Sequence, residues 1–322
     1  MSSDDWEIPT NLQPDPTETR YDLAEALRAV VGLRSLIPAD AFTARVLGTE
    51  REGSGVMIRP GLILTIGYLV TEAETIWITT ADGAAFGGTT LAIDQETGFA
   101  LVQVLGRPKL PVLEIGDSEG VEVGTPCSLA AAGGRSRAVA CKIVAQQPFA
   151  GYWEYLMEDA LFTAPAHPSW GGAGLIGDDG KLLGIGSLIL QQGQGGRRLD
   201  INMVVPIHRL TPILDDLLAH GRRSDPPRPW LGLYAQEDDE GVGVASLAPG
   251  GPAEEAGLQP GDRILTVGEE PAEDLAALWR AVWQAGPAGT AVRMRVARGK
   301  AEREVTLHSS DRTKFLKAPR LH

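Results

Sequence analysis

The feature that most constrains the fold of this chain is a long series of short apolar runs between about residues 41 and 210, separated by glycine-rich turns. Valine, isoleucine, leucine and threonine dominate these runs, and such residues favour strands. Many short strands at this spacing are typical of an all-β barrel or sandwich. The predicted strands are Phe42–Leu47, Ser54–Ile58, Leu62–Thr65, Thr75–Thr79, Thr89–Ile93, Ala100–Val104, Thr125–Ala130, Ala138–Ala145, Leu161–Thr163, Leu182–Leu188 and Ile201–Val205.

The N-terminal region has a different composition. Residues 1–18 are rich in proline, threonine and acidic side chains, which predicts a disordered or extended segment. A helix-capping pattern and apolar side chains at helical spacing come next. We therefore predict a helix over about residues 20–34, within a segment 19–38 that Pro38 ends, and we expect it to pack on the following domain.

A proline-rich stretch at residues 222–229 divides the chain. Its three prolines predict a semi-rigid linker. Before it, Ile207–His220 is predicted to be a helix that ends at Gly221. After it, residues 230–310 are predicted to form a second domain, and residues 311–322 a basic, disordered tail.

Charge and composition exclude several classes of function. The net charge of −13 argues against nucleic acid or an anionic membrane as a partner, whereas a basic peptide or protein partner is compatible with it. No apolar stretch reaches the roughly 18 residues of a membrane span. The N-terminus lacks the apolar run of a signal peptide, so we expect a cytoplasmic location, or a periplasmic one if a leader was removed.

The two cysteines, Cys127 and Cys141, are equidistant from Gly134 in a predicted turn. A hairpin centred there would set them opposite one another, so a cross-strand disulfide is geometrically possible. In a cytoplasmic protein two buried thiols are the expectation. The sequence contains no Cys-x-x-Cys motif and no Cys/His cluster, so neither a metal site nor a cofactor is expected.

The strand-rich region contains the motifs Gly53–Ile58 and Leu62–Val70. They resemble the start of the protease domain in the HtrA/Deg family of trypsin-like serine proteases. Asp94–Val102 resembles the family's Asp-x-x-x-Asp-Leu-Ala-Val-Leu, and His167–Leu175 resembles its Asn-Pro-Gly-Asn-Ser-Gly-Gly-Pro-Leu. The resemblance implies a chymotrypsin-like double β-barrel over residues 39–221.

The family's catalytic residues are absent at the matching positions. Tyr68 stands where the resemblance implies the histidine base, Gly98 where it implies the aspartate, and Gly171 where it implies the nucleophilic serine. Serine-protease chemistry needs a nucleophile, a base and a group that orients the base. The sequence therefore predicts a pseudoprotease. The backbone of Gly171 and Gly172 is interpreted either as a tight turn or as a retained oxyanion-hole-like site.

An active endopeptidase with a rearranged site is the alternative. Ser169 precedes Gly171 by two residues and His167 precedes Ser169 by two, so in an extended segment the two side chains point the same way. A working pair needs the base within about 3 Å of the serine hydroxyl. The simpler interpretation gives Ser169 a turn role and leaves His167 partly exposed. The other histidines are interpreted as surface residues: His208, His220, His308 and His322.

Residues from about 228 to 308 resemble a bacterial PDZ domain. Gly251–Ile264 is similar to the pattern Ser-Pro-Ala-x-x-Ala-Gly-Leu-x-x-Gly-Asp-x-Ile. PDZ domains bind an extended peptide as an added strand. The resemblance implies a loop whose N–H groups bind a C-terminal carboxylate, with Arg228 adding attraction and an apolar pocket beside it; the alternative is a groove closed by the protein's own chain. The implied peptide-binding residues are Trp230, Leu231, Gly232, Leu233, Leu278 and Val282.

Together these features predict a mainly β protein, a chymotrypsin-like double β-barrel followed by an α+β PDZ domain. Its predicted function is that of a catalytically inactive scaffold, adaptor or chaperone-like protein that binds peptides or protein C-termini. The aromatic cluster Tyr152, Trp153 and Tyr155 is interpreted as core or subunit packing, or as a peptide-contact loop. The family resemblance also implies a homotrimer.

Overall fold

The computed structural model describes residues 6–194 and 197–317. The chain divides into two units. The first comprises the residues up to Gln147, Asp159–Arg223 and Lys317. The second comprises Pro148–Glu158 and Ser224–Leu316. A short piece of the first half of the chain therefore belongs to the C-terminal unit.

Two six-stranded closed barrels form the first unit. The first barrel has the strand order β1-β2-β3-β6-β5-β4. In some of its strands apolar side chains point inward at every second position. Strand β3 is short and is buried on both faces. The strands are β1 (Val30–Leu36), β2 (Glu50–Arg59), β3 (Leu62–Ile66), β4 (Thr75–Thr79), β5 (Ala85–Ile93) and β6 (Phe99–Leu105).

The second barrel has the strand order β10-β11-β12-β9-β8-β7. Cys127 on β7 pairs with Cys141 on β8, as the spacing about Gly134 predicts, and both are buried free thiols with their sulfur atoms 3.5 Å apart. The strands are β7 (Pro126–Ala130), β8 (Ala138–Gly151), β9 (Tyr155–Ala164), β10 (Gly174–Gly177), β11 (Leu182–Gln194) and β12 (Arg197–Pro206). The predicted chymotrypsin-like double barrel is confirmed.

Two predictions in the first unit were wrong. The N-terminal helix is short, α1 (Leu23–Arg28), and the chain then enters β1 of the first barrel instead of remaining helical to residue 34. Both edges of β1 are paired, with β2 and with β4, so barrel closure overrides the helical spacing of the apolar residues. The predicted strand Phe42–Leu47 contains a single helical turn, α2 (Ala44–Leu47).

The segments at both ends of the described chain are better ordered than their composition predicts. Ile8 is buried within the apolar cluster of the second barrel, and a 3₁₀ turn follows at Thr10–Leu12. At the other end Phe315 packs against Trp230 with ring centres 4.5 Å apart. Residues 1–5 and 318–322 lie outside the described residues, so the expectation of disorder there stays a prediction.

The predicted helix Ile207–His220 is divided into two parts. A 3₁₀ turn covers Ile207–Arg209, and α3 (Leu214–His220) ends at Gly221, whose left-handed φ of 70° closes the helix. In the linker, Arg223 forms two hydrogen bonds of 2.9 Å to the buried carboxylate of Asp94. The start of the linker is thus fixed to the first barrel.

The second unit contains the PDZ fold. Its sheet has the order β13-β14-β15-β17-β18, with β16 paired to β15. Asp274 is the N-cap residue of helix α5, and its side chain accepts a hydrogen bond from the Ala277 N–H. Trp279 on α5 is fully buried in the core. The elements are β13 (Leu233–Asp238), β14 (Gly241–Leu247), α4 (Pro252–Glu255), β15 (Arg263–Val267), β16 (Glu270–Pro271), α5 (Leu275–Gln284), β17 (Ala291–Arg298) and β18 (Ala301–His308).

Asp262 in the Gly-Asp motif supports the first testable prediction. Its carboxylate is 1% exposed and accepts hydrogen bonds from Arg298 at 2.6 and 2.8 Å and from the Gln259 N–H at 2.9 Å. We expect Asp262→Ala to destabilise the PDZ unit by about 3 kcal/mol, because it removes one side of a partly buried ionic network. Asp238→Ala, which breaks an exposed pair with Arg263, is the matched control and should cost less than about 1 kcal/mol.

Amide hydrogen exchange of β17 in the full chain measures both effects. Equal protection in the two variants would contradict the structural role given to Asp262.

Candidate functional site

The three positions matched to a catalytic triad lie together in the first unit. Tyr68 lies in a 3₁₀ turn directly after β3, and Gly98 directly precedes β6. The Gly67 N–H donates to the Gly98 carbonyl over 2.6 Å, and the Ser54 N–H donates to the Gly171 carbonyl over 2.8 Å. Barrel strands therefore bring together the positions that the motifs assign to base, acid and nucleophile.

Tyr68 makes a structural hydrogen bond in this site. Its hydroxyl donates to the carbonyl of Ser187 over 2.9 Å. Burial raises the pKa of Tyr68 above the ordinary range of a phenol. A neutral phenol whose proton is held by a carbonyl cannot take a proton from a nucleophile at neutral pH.

Tyr68 also occupies the space beside Gly171. A Cβ atom added to Gly171 would lie 2.8 Å from the Tyr68 hydroxyl oxygen, closer than such atoms approach one another. The phenol and a side chain at position 171 are therefore mutually exclusive without a rearrangement. Gly172, with φ of 76°, is more restricted still, because a Cβ there would fall 1.8 Å from the Ser54 carbonyl oxygen.

The backbone donors near Gly171 are largely used inside the protein. The Gly172 N–H donates to the Gly186 carbonyl over 2.9 Å, and the Ser169 N–H donates to Nδ1 of His167 over 3.0 Å. An oxyanion hole requires N–H groups that point at an incoming oxygen. The Gly172 N–H is therefore not directed at an incoming oxygen, which favours the tight turn among the two interpretations of Gly171 and Gly172.

His167 and Ser169 do not form a base and nucleophile. His167 is fully buried, contrary to the expectation of partial exposure. Its Nε2–H donates to the Arg137 carbonyl over 2.8 Å while Nδ1 accepts from the Ser169 backbone. Burial is the main cause that lowers the pKa of His167. Both ring nitrogens are thus engaged by backbone groups, and neither is directed at the Ser169 hydroxyl.

The sequence does not reveal a hydrogen-bonded series of a serine, a histidine and an aspartate that lies outside the triad positions. His208 contacts the Ser118 hydroxyl with Nδ1 at 2.8 Å and the Asp159 carboxylate with Nε2 at 2.7 Å. Asp159 also accepts from Arg209. Ser118 is completely buried, and its oxygen accepts the backbone N–H of His208 as well. These contacts fix the 3₁₀ turn after β12. No sequence signal links three residues so far apart in the chain.

The residues that the resemblance assigns to a peptide groove lie together in the PDZ unit. The four residues expected to line its pocket are buried in one apolar cluster, and Gly232 adopts a φ of 72° between the two loop leucines. Arg228 lies with its guanidinium carbon 4.3 Å from the ring centre of Trp283. The pocket residues are Leu231, Leu233, Leu278 and Val282.

The carboxylate position of this groove is occupied by the side chain of Glu154. Its oxygens accept the Leu231 N–H at 3.0 Å and the Leu233 N–H at 2.8 Å. Glu154 lies in the segment Pro148–Glu158 of the second unit, which we call the tip segment. The loop thus binds a carboxylate, as the sequence predicts of it, but one that belongs to the protein itself.

The rest of the tip segment follows the groove. The Tyr152 carbonyl accepts the Ala235 N–H of β13 over 2.9 Å, and the Gly151 carbonyl accepts the indole N–H of Trp279 over 2.8 Å. The aromatic cluster lies here, with Tyr152 and Tyr234 ring centres 6.2 Å apart. Its contacts are with the protein's own residues, as the packing interpretation expects, and contact with a bound peptide stays a prediction.

Similarity to known proteins agrees with these two units. Residues 53–185 match the trypsin-like peptidase domain family, and residues 229–308 match the PDZ domain family. A probable periplasmic DegP-like serine endoprotease of Halomonas elongata is 28% identical over 277 residues, which cover 80% of this chain and 56% of that protein. The putative serine protease HhoA of Synechocystis is 28% identical over 286 residues, which cover 80% of this chain and 70% of that protein.

Solved structures show the same fold. The HtrA-type protease AlgW with a decapeptide has a TM-score of 0.55 and 22% identity, covering 92% of this chain and 98% of its own. A serine endoprotease from Yersinia pestis has a TM-score of 0.53 and 23% identity, covering 95% of this chain and 99% of its own. Within the described residues, no helix is long and apolar enough to cross a membrane and no His/Cys/Asp/Glu group could hold a metal ion.

The titration of Glu154 provides the second prediction. Burial raises the pKa of Glu154 to about 7, against the opposing effect of the loop N–H groups and of Arg312. The folded PDZ unit then holds this proton more tightly than the unfolded chain. The bound proton therefore stabilises the folded PDZ unit. This stabilisation is complete below about pH 4.3, the pKa of a free glutamate, and is lost as the pH rises to about 7.

Carbon-13 NMR of glutamate-labelled protein measures this pKa directly, with Glu154→Gln to assign the signal. A midpoint near that of a free glutamate would show that the carboxylate is exposed to water and not held in the loop.

Proposed function

We propose that this chain, which belongs to the HtrA/Deg family of trypsin-like proteins with a C-terminal PDZ domain, has kept the protease scaffold without its catalysis. In this proposal it is a peptide- or protein-binding scaffold, adaptor or chaperone-like protein. The observation that carries the proposal is the 2.8 Å separation between the Tyr68 hydroxyl and the place of a Cβ on Gly171. A phenol fills the space that a nucleophile would need.

The three losses reinforce one another. Gly171 offers no nucleophile, Tyr68 offers no base, and Gly98 has no side chain with which to orient a base. Removal of single triad members leaves a residual rate when the other parts stay in place. Here the N–H groups of Ser169 and Gly172 also donate hydrogen bonds within the protein. They are therefore not directed at a transition-state oxyanion, which they would have to stabilise.

A cleavage assay tests the absence of catalysis. We expect no turnover of casein or of a peptide library, and no labelling by a fluorophosphonate probe. The reason is that no histidine activates the hydroxyl of Ser169 or of Ser118. Ser169→Ala and Ser118→Ala are the matched controls, one for each serine that contacts or neighbours a histidine.

Labelling that disappears in one of these variants would contradict the proposal. It would assign an active endopeptidase with a rearranged site, using Ser169 or the buried Ser118.

Peptide binding is supported by the form of the groove. Leu231 and Leu233 direct their N–H groups at one carboxylate, and β13 lies at the edge of the PDZ sheet, where a strand can be added. The apolar pocket beside the loop favours an apolar C-terminal residue. The proposed ligand is therefore an extended peptide or protein C-terminus with a free carboxylate.

A short peptide tests this ligand class. The labelled heptapeptide Pro-Phe-Ala-Gly-Tyr-Trp-Leu repeats residues 148–153 and ends in an apolar residue with a free carboxylate. We expect it to bind the full chain at least about tenfold more tightly than its C-terminal amide, because hydrogen bonds to a charged acceptor are the stronger ones. Fluorescence anisotropy measures both affinities, and equal affinities would contradict a carboxylate-binding groove.

Oligomeric state and location are also proposals. A homotrimer follows from the family resemblance, and the acidic net charge of −13 favours basic peptide or protein partners over nucleic acid. The expected cytoplasmic location has no support among the relatives, whereas the Halomonas elongata relative is described as a probable periplasmic protease. We therefore propose the periplasm as the compartment of this chain.

A further inference from the structure

The tip segment lies in the PDZ groove in the way that a peptide ligand is expected to lie. Strand addition requires main-chain hydrogen bonds with the edge strand and a carboxylate at the loop. The tip segment provides the first through the Tyr152 carbonyl, which accepts the Ala235 N–H. It provides the second through Glu154, two residues further along the chain. One continuous piece of chain thus satisfies both requirements.

The same segment adds an apolar side chain to the core of the PDZ unit. Leu156 is 6% exposed and belongs to the apolar cluster that contains the pocket leucines. Arg280 on helix α5 makes hydrogen bonds of 2.8 and 2.6 Å to the carboxylate of Glu158, at the end of the tip segment. Backbone, carboxylate and apolar contacts therefore all come from residues 148–158.

We propose that the tip segment is an internal ligand of the PDZ groove, in which the side-chain carboxylate of Glu154 takes the place of a C-terminal carboxylate, so that an external peptide binds only by displacing it. This inference rests on the proposed peptide-binding function and adds its regulation. The groove is closed in the resting protein and opens to a ligand that ends in a free carboxylate.

The internal ligand is easier to displace than its number of contacts suggests. Glu154 has a φ of 60°, a left-handed conformation that is strained for a residue other than glycine. The chain must turn there because it continues into β9, whereas a true C-terminus ends and bears no such cost. Burial of the Glu154 carboxylate is a second cost, as its raised pKa indicates. Arg312 is the cation whose charge acts on it.

Competition for binding to this chain, with both units present, tests the proposal. The probe is the labelled heptapeptide Pro-Phe-Ala-Gly-Tyr-Trp-Leu with a free carboxylate, and its amide is the control peptide. Glu154→Ala removes both oxygens that accept the Leu231 and Leu233 N–H groups. We expect this variant to bind the free-carboxylate peptide at least about tenfold more tightly than the unaltered protein, because these hydrogen bonds no longer hold the tip segment in the loop.

Glu158→Ala is the matched control variant. It makes the same chemical change in the same segment but affects an exposed ion pair with Arg280. Its affinity for the peptide should stay within about threefold of the unaltered protein, because exposed pairs contribute little.

The outcomes separate this inference from the function on which it rests. Equal, carboxylate-dependent binding by the unaltered protein and Glu154→Ala would overturn the internal ligand and leave peptide binding intact. No preference for the carboxylate in either protein would overturn both. A tenfold gain confined to Glu154→Ala and to the free-carboxylate peptide would support both.

A second measurement uses the unaltered protein alone. If the peptide displaces Glu154, saturation with it should lower the NMR midpoint of this residue from about 7 to the roughly 4.3 of a solvated glutamate. A bound peptide that leaves the midpoint near its original value would bind elsewhere, and the internal-ligand proposal would be wrong.

Discussion

The close approach of the Gly171–Gly172 turn to strand β2 is the constraint on which the first unit depends. The Ser54 N–H donates to the Gly171 carbonyl, and the Ser54 carbonyl oxygen lies where a Cβ on Gly172 would be. Only glycine tolerates this contact at a positive φ. The contact brings Tyr68 against position 171, so the packing that preserves the protease scaffold also fills the site where catalysis would occur.

In the PDZ unit the corresponding constraint is the need of two loop N–H groups for a carboxylate acceptor. The loop N–H groups of Leu231 and Leu233 point at one position, and an acceptor there satisfies both donors. Glu154 supplies that acceptor at the cost of burial and of a left-handed backbone. A peptide terminus with an apolar last residue could supply the same acceptor without the backbone strain. The groove therefore suits both an internal and an external ligand, and the balance between them is a matter of affinity.

Local patterns predicted individual elements well where one interaction decides them. The strand Thr75–Thr79 agrees with β4, and the predicted strand Ala100–Val104 lies within β6. Local patterns failed where tertiary pairing decides. The helix predicted over about residues 20–34 ends at Arg28, and Val30 begins β1, because β2 and β4 each need an edge of β1 to close the barrel. The series Ser118, His208 and Asp159 joins residues that no local pattern connects.

The sequence by itself determined the two folds, a double barrel and a PDZ domain. It also determined which groups stand at the motifs: glycines and a tyrosine in place of a triad, and a loop able to bind a carboxylate. Spacing and side-chain type are local properties, so they can be read without coordinates. Only the tertiary structure decided that His167 is buried with both nitrogens engaged, and that Glu154 occupies the PDZ loop. Those outcomes depend on which distant groups meet and exclude water, and chain order does not specify that.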